Sequence, residues 1–400
     1  MKIAIFSDSF YPELSGITDT IIATGKELGR QGHSVEYFVP HYSRRAYQVV
    51  NVEQKEIDLG PNIKIHRLFS IPVKTPTMQG QALIPNPFRG FFTKEKFDVV
   101  HSHGFFGAGI DALCFSKIKS IPLVGTNHTL IESFAQFFPI GFRGPRVQKS
   151  IIKYLIWYYG LCDFVTTPSL FLIEDMKKKG LKISGRAISN PVERYFYETT
   201  KTKDVLKKEF HFSEFHVLYA GRISAEKKCE ILLDAFIRFA GTHPKASLSF
   251  VGQGMLRETF EKRVAASHVS KQITFMGPFL GENKKTLYDI FHASDVFVMP
   301  STSETQSMVV IQAMASRLPV IAARAGGPPE LIGNDKGLLF EPDNVEELVR
   351  HLDTLYKDST LQKTFGDNGN AFAQKYSITL IAQAWEETYR EVTEKYKHEK

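Results

Sequence analysis

The stretch Val296-Phe297-Val298-Met299-Pro300-Ser301-Thr302-Ser303-Glu304-Thr305-Gln306-Ser307-Met308-Val309-Val310-Ile311-Gln312-Ala313-Met314-Ala315 runs from an apolar, β-branched segment through a polar turn into helical spacing. A strand that is apolar throughout, rather than alternating, reads as buried on both faces of a parallel sheet. The Ser and Thr residues that follow are helix-capping types, and the stretch is one βα unit. With a helix starting near Glu304, the eight residues to Gln312 span ~12 Å and turn through roughly 80°. Both side chains can then face one elongated ligand. The N–H groups near Ser307 and Met308 lack intrahelical partners there and suit a phosphate.

The same alternation recurs along the chain. One series of strands is expected at Lys2–Phe6, Ser34–Pro40, Asp98–Ser102, Pro122–Thr126, Phe164–Thr167 and Ala187–Ser189. A second is expected at His216–Ala220, Ser247–Val251, Ile273–Met276, Val296–Met299, Pro319–Ala322 and Gly337–Phe340. Two such series separated by amphipathic segments predict an α/β chain of two doubly wound, Rossmann-like domains. The break falls at Asn190-Pro191 and the polar run Glu198 to Glu209. The expected domains are 1–195 and 196–377, with a final helix over 378–400 packing back on the first.

At 400 residues, with 43% apolar and 23% charged residues, the chain has the composition of two globular domains. No stretch reaches the ~18–20 apolar residues that span a bilayer, and Met1-Lys2 leads straight into a strand rather than a signal peptide. Cys114, Cys162 and Cys229 form no CxxC pair, which suits a reducing cytoplasm. The net charge of +7 is uneven: residues 1–190 carry 23 Lys and Arg against 15 Asp and Glu, and the remainder is at −1. Arg143 to Gly160 holds four cations and no acid, interleaved with Tyr154, Trp157, Tyr158 and Tyr159. That mixture suits an anionic membrane surface as well as nucleic acid. Solvated helix faces are the plain alternative.

Further turns follow apolar strands. Gly16, after Ser7 to Ser15, lies at a strand-to-helix turn where backbone N–H groups can approach an anion. It belongs to no GxGxxG, so a nicotinamide cofactor is not indicated. Arg222 and Lys227 leave the end of the second series' first strand and could neutralise a diphosphate. His101 and His103 share a face at a strand end. With no carboxylate or Cys at ligand spacing, no metal is expected there.

Several motifs occur in a familiar order: Gly221-Arg222 with Glu226-Lys227, Val251-Gly252-Gln253-Gly254, Ala293-Ser294-Asp295 running to Ser301, Glu304 to Gln312, Leu318-Pro319-Val320 and Gly326-Gly327-Pro328-Pro329-Glu330. In this the chain resembles the family 4 retaining glycosyltransferases of GT-B fold, two Rossmann-like domains with a cleft between them. Thr305-Gln306 resembles the lipid-glycosylating branch. The resemblance implies that Arg222 and Lys227 hold the diphosphate of a nucleotide sugar and that Glu304 contacts the hexose. It places the backbone of Ser307, Met308 and Val309 against sugar and phosphate, Gln312 on the ribose, and Gly16 facing the diphosphate. His128 matches a histidine beside the reacting carbon.

In this sequence Gln312 replaces a Glu, Ser307 a usual Gly, and Arg317 a Gly before Leu-Pro. The implied reaction is retaining transfer of a hexose, from UDP-glucose first or GDP-mannose second, onto an acceptor sugar or lipid. The first domain would take the acceptor and the second the nucleotide. No Asp-x-Asp occurs, and a metal-free donor site is expected. The expected setting is cytoplasmic, with peripheral contact of residues 143–160 at an anionic membrane and no nucleic acid partner. A nucleotide-sugar 2-epimerase on the same fold, or a weakly catalytic donor-binding subunit, is the alternative.

Overall fold

The structure is a computed structural model that describes residues 1–13, 15–50, 52–73, 79–130, 144–279 and 283–398. The chain forms two compact units, Met1–Pro191 with Ile378–Lys400, and Val192–Ser377. The division falls four residues earlier than 195. Val192 and Phe196 are buried in the core of the second unit, and Val192 bridges to Ser377.

In the first unit β1 (Lys2–Phe6), β2 (Ser34–Pro40), β3 (Ile63–Leu68), β6 (Val99–Ser102), β7 (Leu123–Thr126), β8 (Phe164–Thr167) and β9 (Gly185–Ala187) make a parallel sheet. Its strand order is β3-β2-β1-β6-β7-β8-β9. A short antiparallel hairpin pairs β4 (Ser70–Pro72) with β5 (Gln81–Leu83). The residues of β1 alternate between the two faces: Ile3 and Ile5 pack on one, Ala4 and Phe6 on the other. The first face is covered by the helices Gly16–Arg30 and Ile378–His398, the latter supplying Ile381, Trp385, Tyr389 and Val392. The sheet's last strand lies two residues before the expected Ala187–Ser189, and β3 was not expected at all.

The second unit contains β10 (Phe215–Ala220), β11 (Ala246–Val251), β12 (Ile273–Met276), β13 (Val296–Met299), β14 (Val320–Ala323) and β15 (Gly337–Phe340). All pair in parallel, in the order β12-β11-β10-β13-β14-β15. The central strands β10, β13 and β14 are buried along their whole lengths, as apolar runs between two helix layers must be.

Candidate active site

Each sheet reverses its strand order once, and at such a point the loops leaving the carboxyl ends of two neighbouring strands diverge and open a crevice. In the second unit this point lies between β10 and β13. The loop after β10 carries Arg222 and Lys227, and the loop after β13 carries Glu304. Lys227 Nζ donates a 2.5 Å hydrogen bond to Glu304 Oε1, joining residues 77 apart in sequence. Their side chains are only 18% and 11% exposed. Burial works against a charge on Glu304. Lys227, a hydroxyl bond from Ser301 and the field of Arg222 outweigh it and hold the carboxyl below the usual range. Arg222 is more open, 3.4 Å from Glu226 Oε1 in an ion pair without a hydrogen bond.

Backbone contacts set this geometry. The Tyr219 hydroxyl donates to the Arg222 carbonyl at 2.7 Å, and the Gly327 N–H donates to the Glu304 carbonyl at 2.9 Å. Gly326 has φ +62°, and a Cβ there would stand 2.4 Å from the Glu304 oxygen. Only glycine lets the turn after β14 lie so close to the Glu304 loop.

The helix after β13 is Met308–Ala315, so Glu304 lies on the preceding loop and not in the helix, contrary to the sequence expectation. The cause is Ser307, at φ +72° and ψ +83°, which no right-handed helix can contain. Its buried hydroxyl has no hydrogen-bond partner among the described residues. Met308 and Val309 open the helix, in the turn whose N–H groups point out of it. Gln312 lies one turn on, half-buried, and its amide makes no hydrogen bond among the described residues. Arg317 also has positive φ, +61°, so both residues that replace a family glycine hold left-handed backbone.

In the first unit the reversal lies between β1 and β6. Asp8 follows β1, and its Oδ1 accepts the Ala108 N–H at 2.7 Å, at the start of helix Gly107–Lys119. Burial raises its carboxyl to about 6, against the lowering effect of the Ala108 and Phe106 N–H groups. Gly104 leaves room for this carboxylate; a Cβ there would be 2.2 Å from Asp8 Oδ2. Gly16 is the exposed first residue of helix Gly16–Arg30, which Ser15 caps through the Thr18 N–H.

His103 follows β6 and His128 follows β7, with His103 Nδ1 and His128 Nε2 2.9 Å apart. His101 is held on both ring nitrogens, by the Tyr389 hydroxyl at 2.7 Å and the Thr126 hydroxyl at 2.6 Å. Burial lowers His128 to about 4, and burial with the neighbouring rings holds His101 and His103 well below their ordinary value. Burial thus favours the neutral form of all three rings. One imidazole of the His103–His128 bond must donate and the other accept, which ties the tautomer of His128 to that of His103.

Sequence reasoning missed Asp8, His103 as the partner of His128, and Ser301. Each lies within three residues of the end of an apolar strand, a position that could have marked it. The helix Pro145–Tyr159 falls within the basic stretch expected at a membrane; Arg143 lies outside the described residues. Tyr158 and Tyr159 are buried in the core, where their hydroxyls meet the Gly109 and Thr126 carbonyls, so they offer no aromatic surface. Trp157 is 52% exposed.

Two doubly wound units, the second with a cation–carboxylate pair and a helix N-terminus at its switch point, are the architecture of the GT-B fold. The chain belongs to glycosyltransferase family 4. The family model described as Glycosyltransferase Family 4 matches residues 14–196, and that described as Glycosyl transferases group 1 matches residues 202–372. An alpha-monoglucosyldiacylglycerol synthase of Acholeplasma laidlawii is 25% identical over 99% of this chain and 98% of its own length. A GDP-mannose-dependent alpha-mannosyltransferase of Mycobacterium tuberculosis is 26% identical, with coverage of 87% and 88%. The fold is shared with sucrose-phosphate synthase of Thermosynechococcus elongatus, at TM-score 0.78, 20% identity and coverage of 98% and 99%. It is also shared with Anabaena HepE in complex with UDP, at TM-score 0.75, 18% identity and coverage of 98% and 100%.

Proposed function

We propose that the chain is a retaining hexosyltransferase of glycolipid synthesis, moving a hexose from a nucleotide diphosphate sugar to an acceptor hydroxyl. The observation that carries this is the buried Lys227–Glu304 pair beside Arg222 at the switch point of the second unit. Departure of the nucleoside diphosphate leaves negative charge on the β-phosphate oxygen. Arg222, Lys227 and the helix N-terminus at Met308 and Val309 offset that charge, each donor of this kind being worth ~3–4 kcal/mol at a transition state. These groups do so without a metal. Glu304, kept ionised, accepts hydrogen bonds from hexose hydroxyls, and Gln312 bonds the ribose. Retention follows from attack on the face the diphosphate leaves, with the departing phosphate oxygen taking the acceptor proton. A neutral His128 hydrogen-bonds the hexose without opposing the positive charge that develops on its ring.

The full-length likeness to a monoglucosyldiacylglycerol synthase supports a lipid acceptor and a glucosyl donor, for which UDP-glucose is the first reading, and the likeness to a GDP-mannose-dependent mannosyltransferase puts GDP-mannose second. The first unit would take the acceptor, at the cytoplasmic face of a membrane. A thermal-shift panel of nucleotide sugars tests the donor site: one sugar should raise Tm in the wild type and not in Arg222→Ala or Lys227→Ala. Equal shifts in all three proteins would remove the assignment. A weakly catalytic donor-binding subunit is the second reading, favoured by Gln312 and by the strain at Ser307. It predicts binding with neither transfer nor donor hydrolysis, and an epimerase would instead return an altered nucleotide sugar.

A further inference from the structure

We propose that Phe69, Ile71, Ile84, Phe88, Phe91 and Phe92 form a membrane-seating surface that inserts aromatic side chains into an anionic bilayer. Phe69 is 72% exposed, Phe88 61%, Phe91 70% and Phe92 79%, four large apolar rings in solvent within 24 residues. Scattered exposed apolar residues are ordinary, but a concentration of this kind marks an interaction surface. The one-turn helix Arg89–Phe92 turns Gly90 inward, where a Cβ would meet Ile118 at 2.8 Å. Arg89 Nε donates to the fully buried Asp111 at 2.9 Å and pins the turn to helix Gly107–Lys119. The Ile84 N–H donates to the Phe69 carbonyl at 3.2 Å, and the four residues from Ile84 to Phe88 reach at most ~14 Å. Hairpin and turn therefore share one neighbourhood on the first unit.

Charge selects the occupant. Residues 59–94 contain five Lys and Arg and no Asp or Glu. Lys94 and Lys96 beside the turn, and Lys117 on the helix that holds it, are exposed and have no ion-pair partner among the described residues. Aromatic rings bordered by unpaired lysines fit an acyl–headgroup boundary with anionic lipid. A second copy would set like charge against like. This surface differs from the stretch 143–160 expected from its cations and aromatics. It deepens the reading of a lipid acceptor and rests on it for its purpose, but its binding can be measured without transfer.

The test is flotation of the full chain with vesicles of phosphatidylcholine alone and of phosphatidylcholine with phosphatidylglycerol, at low and high salt. The wild type should bind the anionic vesicles and retain part of that binding at high salt, because inserted rings are not screened. The triple variant Phe88→Ser, Phe91→Ser, Phe92→Ser should lose at least ~tenfold in partitioning, the factor one well-buried apolar side chain carries. Lys94→Gln with Lys117→Gln should lose only the salt-sensitive part. All substitutions are on exposed side chains, and nucleotide-sugar thermal shifts should be unchanged. Wild-type binding by the triple variant overturns the proposal. So does a wild-type dimer, indifferent to vesicles, that the variant converts to monomer. Vesicle binding that depends on the phenylalanines without any hexosyl transfer would overturn the transfer reading instead and leave this surface standing.

Discussion

Ser307→Gly should make the second unit more stable. Ser307 holds φ +72°, a conformation that costs an L-residue ~1–2 kcal/mol through its Cβ. Its buried hydroxyl lacks a partner among the described residues, a desolvation cost of ~1–3 kcal/mol. Glycine removes both, but loses ~0.5–1 kcal/mol through the greater freedom of the unfolded chain, and some packing as well. The net gain is about 1–4 kcal/mol, at ~2–4 °C per kcal/mol for a unit of this size. Calorimetry of the full chain should show one of its transitions moving up. Ser307→Ala, which removes the hydroxyl but keeps the Cβ, should gain less. A Ser307→Gly protein no more stable than the wild type would refute the strain argument. Nucleotide-sugar affinity should survive, since the N–H groups at Met308 and Val309 remain; its loss would assign the contact to the hydroxyl.

Removing one partner of the Lys227–Glu304 pair should leave the fold intact and reduce turnover by ~10²–10³, read from initial rates. Because the Glu304 carboxyl titrates below its ordinary value, what its charge contributes is present at neutral pH and lost only as pH falls through that lowered value. Gln312→Glu should bind donor as well as the wild type or better, and Gln312→Ala more weakly, by calorimetric titration. The three buried histidines bind fewer protons folded than unfolded, so the first unit should lose stability as pH drops from ~6.5 toward about 4. His101→Phe should flatten that slope in pH-dependent melts.

Much of the fold was legible because central parallel strands are apolar throughout: β10, β13 and β14 were placed within one residue at each end. Strand β3 escaped because Ile63-Lys64-Ile65-His66-Arg67-Leu68 alternates, as an edge strand facing solvent does, and apolar runs were the signal followed. The helix after β13 was begun too early because capping residues mark a turn without giving its φ. Left-handed backbone at Ser307 is invisible in a serine and was hinted at only by the glycine the family places there. Arg317 is the same case, with an ion pair to Asp367 on its side chain. Pairings such as Lys227–Glu304 and His103–His128 depend on which strands are neighbours, and local pattern does not encode strand order. Tyr158 and Tyr159 were misplaced, while Trp157 is exposed as expected, because helical spacing alone did not decide which face of that helix packs inward.

The most direct test is to incubate the protein with its stabilising nucleotide sugar and a diacylglycerol or glycolipid acceptor, and to determine the product by mass spectrometry and proton NMR. The account predicts stoichiometric release of nucleoside diphosphate, an acceptor heavier by one hexose residue, and an anomeric configuration unchanged from the donor. Binding of the nucleotide sugar without a glycosylated product, or a product of inverted configuration, would contradict it.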